Sequence, residues 1–268
     1  MNRRNSGTDS TVWMEEDDAI KALVQKMSAP RDLSRGRVLI SKEASIMSVK
    51  DINRRTKQLT LMAMMAAMAY VAVLITRPLP KVSGFLSYDL KDVVIAIAGF
   101  QLGAVPALAI TLVVSLIEMV TLSTTGPIGL LMNLLSTAAF VLPPTLMYQR
   151  DRSLKGAALG LCMGVALMTV MMLAWNYIVT PMYMGVPRNV VAGMLLPTFL
   201  PFNLVKGGLN AGITMLLYKP LSSALKQAGL VISDGASAHP RRFNLTATLI
   251  SAAVVVTCVV VFVIMTRS

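Results

Sequence analysis

Apolar residues fall in long blocks along this chain, near positions 58–76, 92–104, 106–122, 127–148, 155–179, 190–218 and 244–265. A helix needs roughly 20 mostly apolar residues to cross about 30 Å of hydrocarbon, and most of these blocks reach that length. The second block is too short to cross comfortably alone. Gly103 and Pro106 mark a tight turn into the third, so adjoining residues of the two complete the crossing between them. The pattern predicts an all-α polytopic membrane protein. A polar, weakly ordered extension over 1–57 precedes a six-span core over 58–226, a linker over 227–243 and an additional C-terminal transmembrane helix over 244–268.

Polar residues interrupt the blocks at few places. Asn203 and Lys206, in the stretch Pro201-Phe202-Asn203-Leu204-Val205-Lys206-Gly207, break a run that is otherwise apolar from Val190 to Leu217. A lysine at mid-bilayer costs roughly 3 kcal/mol on insertion scales, so it faces a cavity, a partner or a ligand by default. Helical spacing puts Asn203, Lys206, Gly207 and Asn210 close to one face.

Composition supports the membrane reading. The 268 residues are 55% hydrophobic and only 14% charged, well below the quarter or so usual in soluble domains, and the mean hydropathy is +0.65. The formal charge of +12 does not form a basic stripe with interleaved aromatics of the kind that binds nucleic acid. It collects at span ends instead. Lys50, Arg54, Arg55 and Lys57, then Arg150, Arg152 and Lys155, then Lys219, Lys226, Arg241 and Arg242 mark the cytoplasmic side. The expected topology has the N-terminus inside and the C-terminus outside.

That orientation puts the unusual polar residues at the outer side: Tyr88, Asp89 and Asp92, Glu118 and Thr121, Asn133, and Trp175, Asn176 and Tyr177. They outline an outward-facing pocket with Asn203 and Lys206 as its floor. Lys206 is expected to meet a carboxylate such as Glu118 or to donate to a ligand carbonyl. Plainer roles stay open for the others. Trp175, Tyr177 and Tyr183 suit an interfacial aromatic belt as well as ligand stacking, Asn133 suits a bond between helices, and Asp89 and Asp92 suit caps on the second span.

Small residues recur at four-residue spacing in two places. Gly156, Gly160 and Gly164 fit internal helix packing, and Ala63 and Ala67 on the first span are the better candidates for a partner surface. Catalytic chemistry finds no support. No GxxxxGK[ST], HExxH or GxSxG motif occurs, and His239 has no cysteine or histidine nearby for a zinc site, so neither catalytic nor metal-binding residues are expected. Cys162 and Cys258 fall inside apolar spans and read as core residues. The polar start lacks a signal-peptide core, its acidic cluster Glu15-Glu16-Asp17-Asp18 has no catalytic pattern, and Met47 offers an alternative start.

Four stretches in this order resemble the substrate-binding S components of energy-coupling factor (ECF) vitamin transporters, specifically the riboflavin type. They are Tyr88-Asp89-Leu90-Lys91-Asp92; Ser123-Thr124-Thr125-Gly126 with Gly129 and Asn133; Asn176-Tyr177 with Pro181 and Tyr183; and Pro201 to Gly207. The resemblance covers about Leu59 to Lys226. It implies a six-helix S-component bundle that captures riboflavin from outside, with the loop from Pro78 to Leu90 covering the pocket. The substrate-binding residues it implies are Asn176, Asn203, Lys206, Asp89, Glu118, Asn133, Thr125 and Tyr177. It also implies a transmembrane coupling protein, met by Ala63 and Ala67, and two cytoplasmic ATPases. Riboflavin would be cargo and no cofactor is expected. The long N-terminal extension and the Leu245 to Met265 segment exceed the family's usual core. An S component for another heteroaromatic vitamin and a stand-alone ion-coupled carrier are the alternatives.

Overall fold

The structure is a computed structural model that describes residues 33–83, 86–123, 125–227 and 245–267, together with Lys21. The acidic cluster at 15–18, Thr124, the Tyr183 side chain, His239 and the linker beyond Gln227 lie outside the described residues. The chain divides into two units, Met1–Arg55 and Thr56–Ser268. In the first, the described residues from Leu33 onward are helical. Residues 33–57, expected to belong to a weakly ordered extension, are therefore part of a helix.

Helix α1 covers Leu33–Thr76, α2 Lys91–Leu102, α3 Ala104–Thr121, α4 Gly126–Arg150 and α5 Leu154–Met184. Helix α6, Arg188–Met194, runs through a π-helical turn, Leu195–Phe199, into α7, Leu200–Gln227, and α8 covers Leu245–Arg267. Among the described residues, six stretches are long and apolar enough to cross a membrane: Arg55–Thr76, Ala104–Thr121, Gly126–Arg150, Leu154–Met182, Arg188–Tyr218 and Leu245–Arg267.

Helix α2 is the exception, as the block lengths predicted. Its 12 residues rise only about 18 Å. They are nevertheless mostly buried, from Lys91 through Phe100, because the helix is apolar on nearly every side and sits within the bundle rather than on its surface. Gly103 alone joins α2 to α3. Its φ of 102° is a conformation that side chains rarely tolerate, and a Cβ there would lie 2.4 Å from Nε2 of Gln149.

The core joins Leu61, Met65 and Ala69 of α1 with Ile95 and Ile97 of α2, Ile110 of α3, Phe140 of α4 and Leu161 and Met168 of α5. The α4–α5 pair is the most extensive, and the glycine stripe explains why. A Cβ on Gly160 would lie 2.5 Å from Cα of Pro144, and one on Gly164 2.3 Å from the Phe140 carbonyl. These glycines serve internal packing, with backbone against backbone. Ala63 and Ala67 are exposed on α1 beside Met64, Met68 and Val71, a face that no other described helix covers.

Candidate functional site

A cavity of about 350 Å³ opens at the end of the bundle where α2 begins and α3 finishes, within the range of small-molecule sites, about 300–1,000 Å³. Four segments build it. The α1–α2 connection contributes Asp89, α4 and its cap contribute Thr125, Asn133 and Ser136, α5 contributes Trp175, Asn176 and Thr180, and α7 contributes Phe202, Asn203 and Lys206. On each helix a polar pair stands three or four residues apart and so shares one face: Asn133 and Ser136, Asn176 and Thr180, and Asn203 and Lys206.

The approach to Asn203 is shaped by the π-turn. Pro197 lies within it and Pro201 follows two residues after its end, and proline disrupts the regular ladder by removing an N–H and crowding the preceding turn. Asn203 Nδ2 then donates 2.8 Å back to the Phe199 carbonyl. On α5, Asn176 Nδ2 donates 2.7 Å to the Met172 carbonyl, while its Oδ1 accepts from Thr180 at 2.9 Å. Each asparagine keeps a second amide hydrogen. The intrahelical bonds fix the rotamers, so these groups are pre-oriented toward the cavity.

Lys206 is 9% exposed and donates 2.8 Å to Asp89 Oδ2. The carboxylate it meets is therefore Asp89 rather than Glu118. Burial alone would push the Asp89 carboxyl up, but the Lys206 ammonium, followed by that of Lys91, outweighs it and holds the acid below the ordinary carboxylate range. An ammonium has three donors, so Lys206 can bind Asp89 and a ligand carbonyl together.

Glu118 belongs to a layer behind the cavity. Lys91, only 2% exposed, donates to both of its carboxylate oxygens at 2.9 and 2.7 Å. Asn133 Nδ2 donates to the same group at 2.7 Å. Asn133 thus links this buried ion pair to the cavity wall, while Glu118 itself does not line the cavity. Asp92 is also internal, accepting from Thr137 at 2.6 Å and from Asn210 at 3.4 Å. It does not cap α2, whose cap position is Leu90 and carries no side-chain hydrogen bond. Tyr88 donates to Asn210 at 2.8 Å; burial, then the Asp89 and Asp92 carboxylates, push its phenol far above its ordinary range and keep it a donor.

Of the residues expected at the site, the fold brings together Asn176, Asn203, Lys206, Asp89, Asn133 and Thr125. Tyr177 is not among them. It follows Asn176 by one position, about 100° around the helix, and is 45% exposed on the outside of α5. The sequence reading passed over Lys91, Ser136 and Thr180. Ser136 and Thr180 stand three and four positions beyond Asn133 and Asn176, so helical spacing would have found them. Lys91 carried no such signal, since its position at a span edge is also that of a solvent-facing cation. No group of three or more potential metal-ligating side chains occurs among the described residues.

A bundle of membrane-crossing helices around a small polar-lined cavity defines a membrane protein that takes up a small molecule at one end. Residues 57–218 match the substrate-specific component of ECF transporters. The chain belongs to that family. It is similar to the riboflavin transporter FmnP of Bacillus subtilis (strain 168), 26% identical over 65% of this chain and 96% of the relative. It is likewise similar to the riboflavin transporter RibU of Staphylococcus aureus (strain TCH60), 29% identical over 65% and 95% respectively. A solved chain described under "Structure and mechanism of the S component of a bacterial ECF transporter" superposes with a TM-score of 0.55 at 31% identity, covering 64% of this chain and 99% of its own.

Proposed function

We propose that this protein is the riboflavin-binding component of an ECF transporter, taking the vitamin from the outer face for import driven by a separate ATP-hydrolysing module. The observation that carries the assignment is the convergence of Asn176, Asn203 and Lys206 on one cavity beside Trp175 and Phe202. An isoalloxazine ring offers two carbonyls and ring nitrogens along one edge and a broad apolar face. The asparagine amides and the Lys206 ammonium supply donors to the edge, and the aromatic side chains suit the face. Asp89, Thr125 and Ser136 can exchange hydrogen bonds with ribityl hydroxyls. Membership in the family agrees with this chemistry, and the two relatives described above are named riboflavin transporters.

The cavity faces outward if the basic residues at the start of the Arg55–Thr76 span and at the ends of α4 and α7 are cytoplasmic, which places the N-terminus inside. The exposed Ala63 and Ala67 face of α1 is the surface offered to the transmembrane coupling protein. An ion-coupled carrier would need a free titrating group in the path, whereas Lys206 and Glu118 are each held in ion pairs.

The protein purified in detergent should retain or bind a yellow, flavin-absorbing ligand and quench riboflavin fluorescence on titration without ATP or added ions. Absence of binding at saturating riboflavin would sink the assignment. Proton-driven counterflow in liposomes lacking any ATPase would replace it with the carrier reading.

A further inference from the structure

The family match ends at residue 218, whereas α8 begins at Leu245. This helix is seated in a groove on α7. A Cβ on Gly208 would lie 2.9 Å from Cys258 Sγ, and one on Gly212 2.7 Å from Val255 Cγ2 and 3.3 Å from the Ser251 carbonyl. The two glycines, one turn apart, let α8 lie close against the helix that carries Asn203 and Lys206. At the cavity end of α8, Phe262 is buried in a cluster with Val82 and Tyr88 of the α1–α2 connection and Phe202, Val205 and Leu209 of α7. The Phe262 and Tyr88 rings stand 5.9 Å apart at 57°, a favourable tilted geometry.

Tyr88 precedes Asp89, the partner of Lys206, and its hydroxyl is bonded to Asn210. Val82 and Leu86 pair through two backbone hydrogen bonds of 2.9 and 3.0 Å, and Leu86 lines the cavity. The other described residues of the connection form neither helix nor strand. We infer that α8 braces this connection against α7 through Phe262, so that the added helix slows ligand release from the cavity. Phe262 does not line the cavity and is a positioning residue. The link to ligand release rests on the proposed riboflavin site, whereas the brace itself does not.

The test is hydrogen exchange on the ligand-free full-length protein, paired with stopped-flow riboflavin dissociation. In Phe262→Ala the amides of Val82 and Leu86 should exchange about tenfold faster, the scale of losing one aromatic pair with its buried area. Segments of α4 and α5 should keep their protection, which shows that the variant is folded, and Phe262→Leu should recover part of the loss. Riboflavin should dissociate faster from Phe262→Ala by a similar factor with little change in association rate. Unchanged exchange at Val82 and Leu86, or a general loss of protection that includes α4 and α5 in both variants, overturns the brace. Faster exchange with an unchanged dissociation rate overturns the role in release. Failure of the native chain to bind riboflavin counts against the proposed function alone, because the exchange measurement contains no ligand.

Discussion

Lys206 of α7 and Asp89 of the α1–α2 connection form an ion pair at 2.8 Å across 117 positions of sequence. Each is the other's compensation for leaving water. Removing one partner of such a pair strands a buried charge, at a cost of about 3–5 kcal/mol, whereas removing both costs far less. Lys206→Met is therefore expected to insert and fold with reduced thermal stability and to lose riboflavin affinity strongly. Asp89→Asn combined with Lys206→Met should recover most of the stability while leaving affinity low. Melting curves in detergent and fluorescence titrations check both; unchanged affinity in Lys206→Met would remove this residue from the site.

The pair also sets an acid limit. Asp89 is held below its ordinary range, so in the folded protein it stays ionised where an unfolded chain would begin to take up a proton. Its stabilising contribution is complete above the unfolded value of about 3.9 and is lost as pH falls through the lower folded value. The difference in melting temperature between the native protein and Asp89→Asn should stay constant from neutral pH to about pH 5 and shrink below about pH 4. A difference that shrinks near neutrality would contradict the ion pair.

Glu118 should behave differently from Lys206. It anchors Lys91 and Asn133 but does not line the cavity. Glu118→Gln leaves the Lys91 ammonium buried without its counter-charge, so stability should fall by about 3–5 kcal/mol, with only a modest loss of affinity through a less firmly held Asn133. Lys91→Met in the same chain should restore stability. A Glu118→Gln protein that is fully stable yet blind to riboflavin would place the carboxylate in direct contact with ligand.

The exposed face of α1 separates binding from transport. Ala63→Leu together with Ala67→Leu adds bulk where no described helix packs, so riboflavin titrations should be unaffected. Uptake by cells or liposomes carrying the complete transporter should fall sharply, because small residues are what allow another helix to approach. Normal uptake would show that the coupling protein docks elsewhere.

Sequence by itself determined the helical class, the number of long spans, the short second helix, the supernumerary last helix and the membership of Asn176, Asn203 and Lys206 in one polar layer. Those follow from block length, helical period and the expense of polar groups in hydrocarbon, all local quantities. Tertiary structure alone decided who answers whom. Two buried lysines and three carboxylates crowd the same end of the bundle, and charge makes every opposite pairing plausible. Packing of α2 inside the bundle gives Glu118 to Lys91 and leaves Asp89 for Lys206. The same geometry turned Tyr177 outward one residue from Asn176, and it seated α8 on Gly208 and Gly212 with Phe262 against Tyr88. Which side chains meet depends on how helices distant in sequence are rotated and how deeply they sit, and no periodicity within a single helix contains that information.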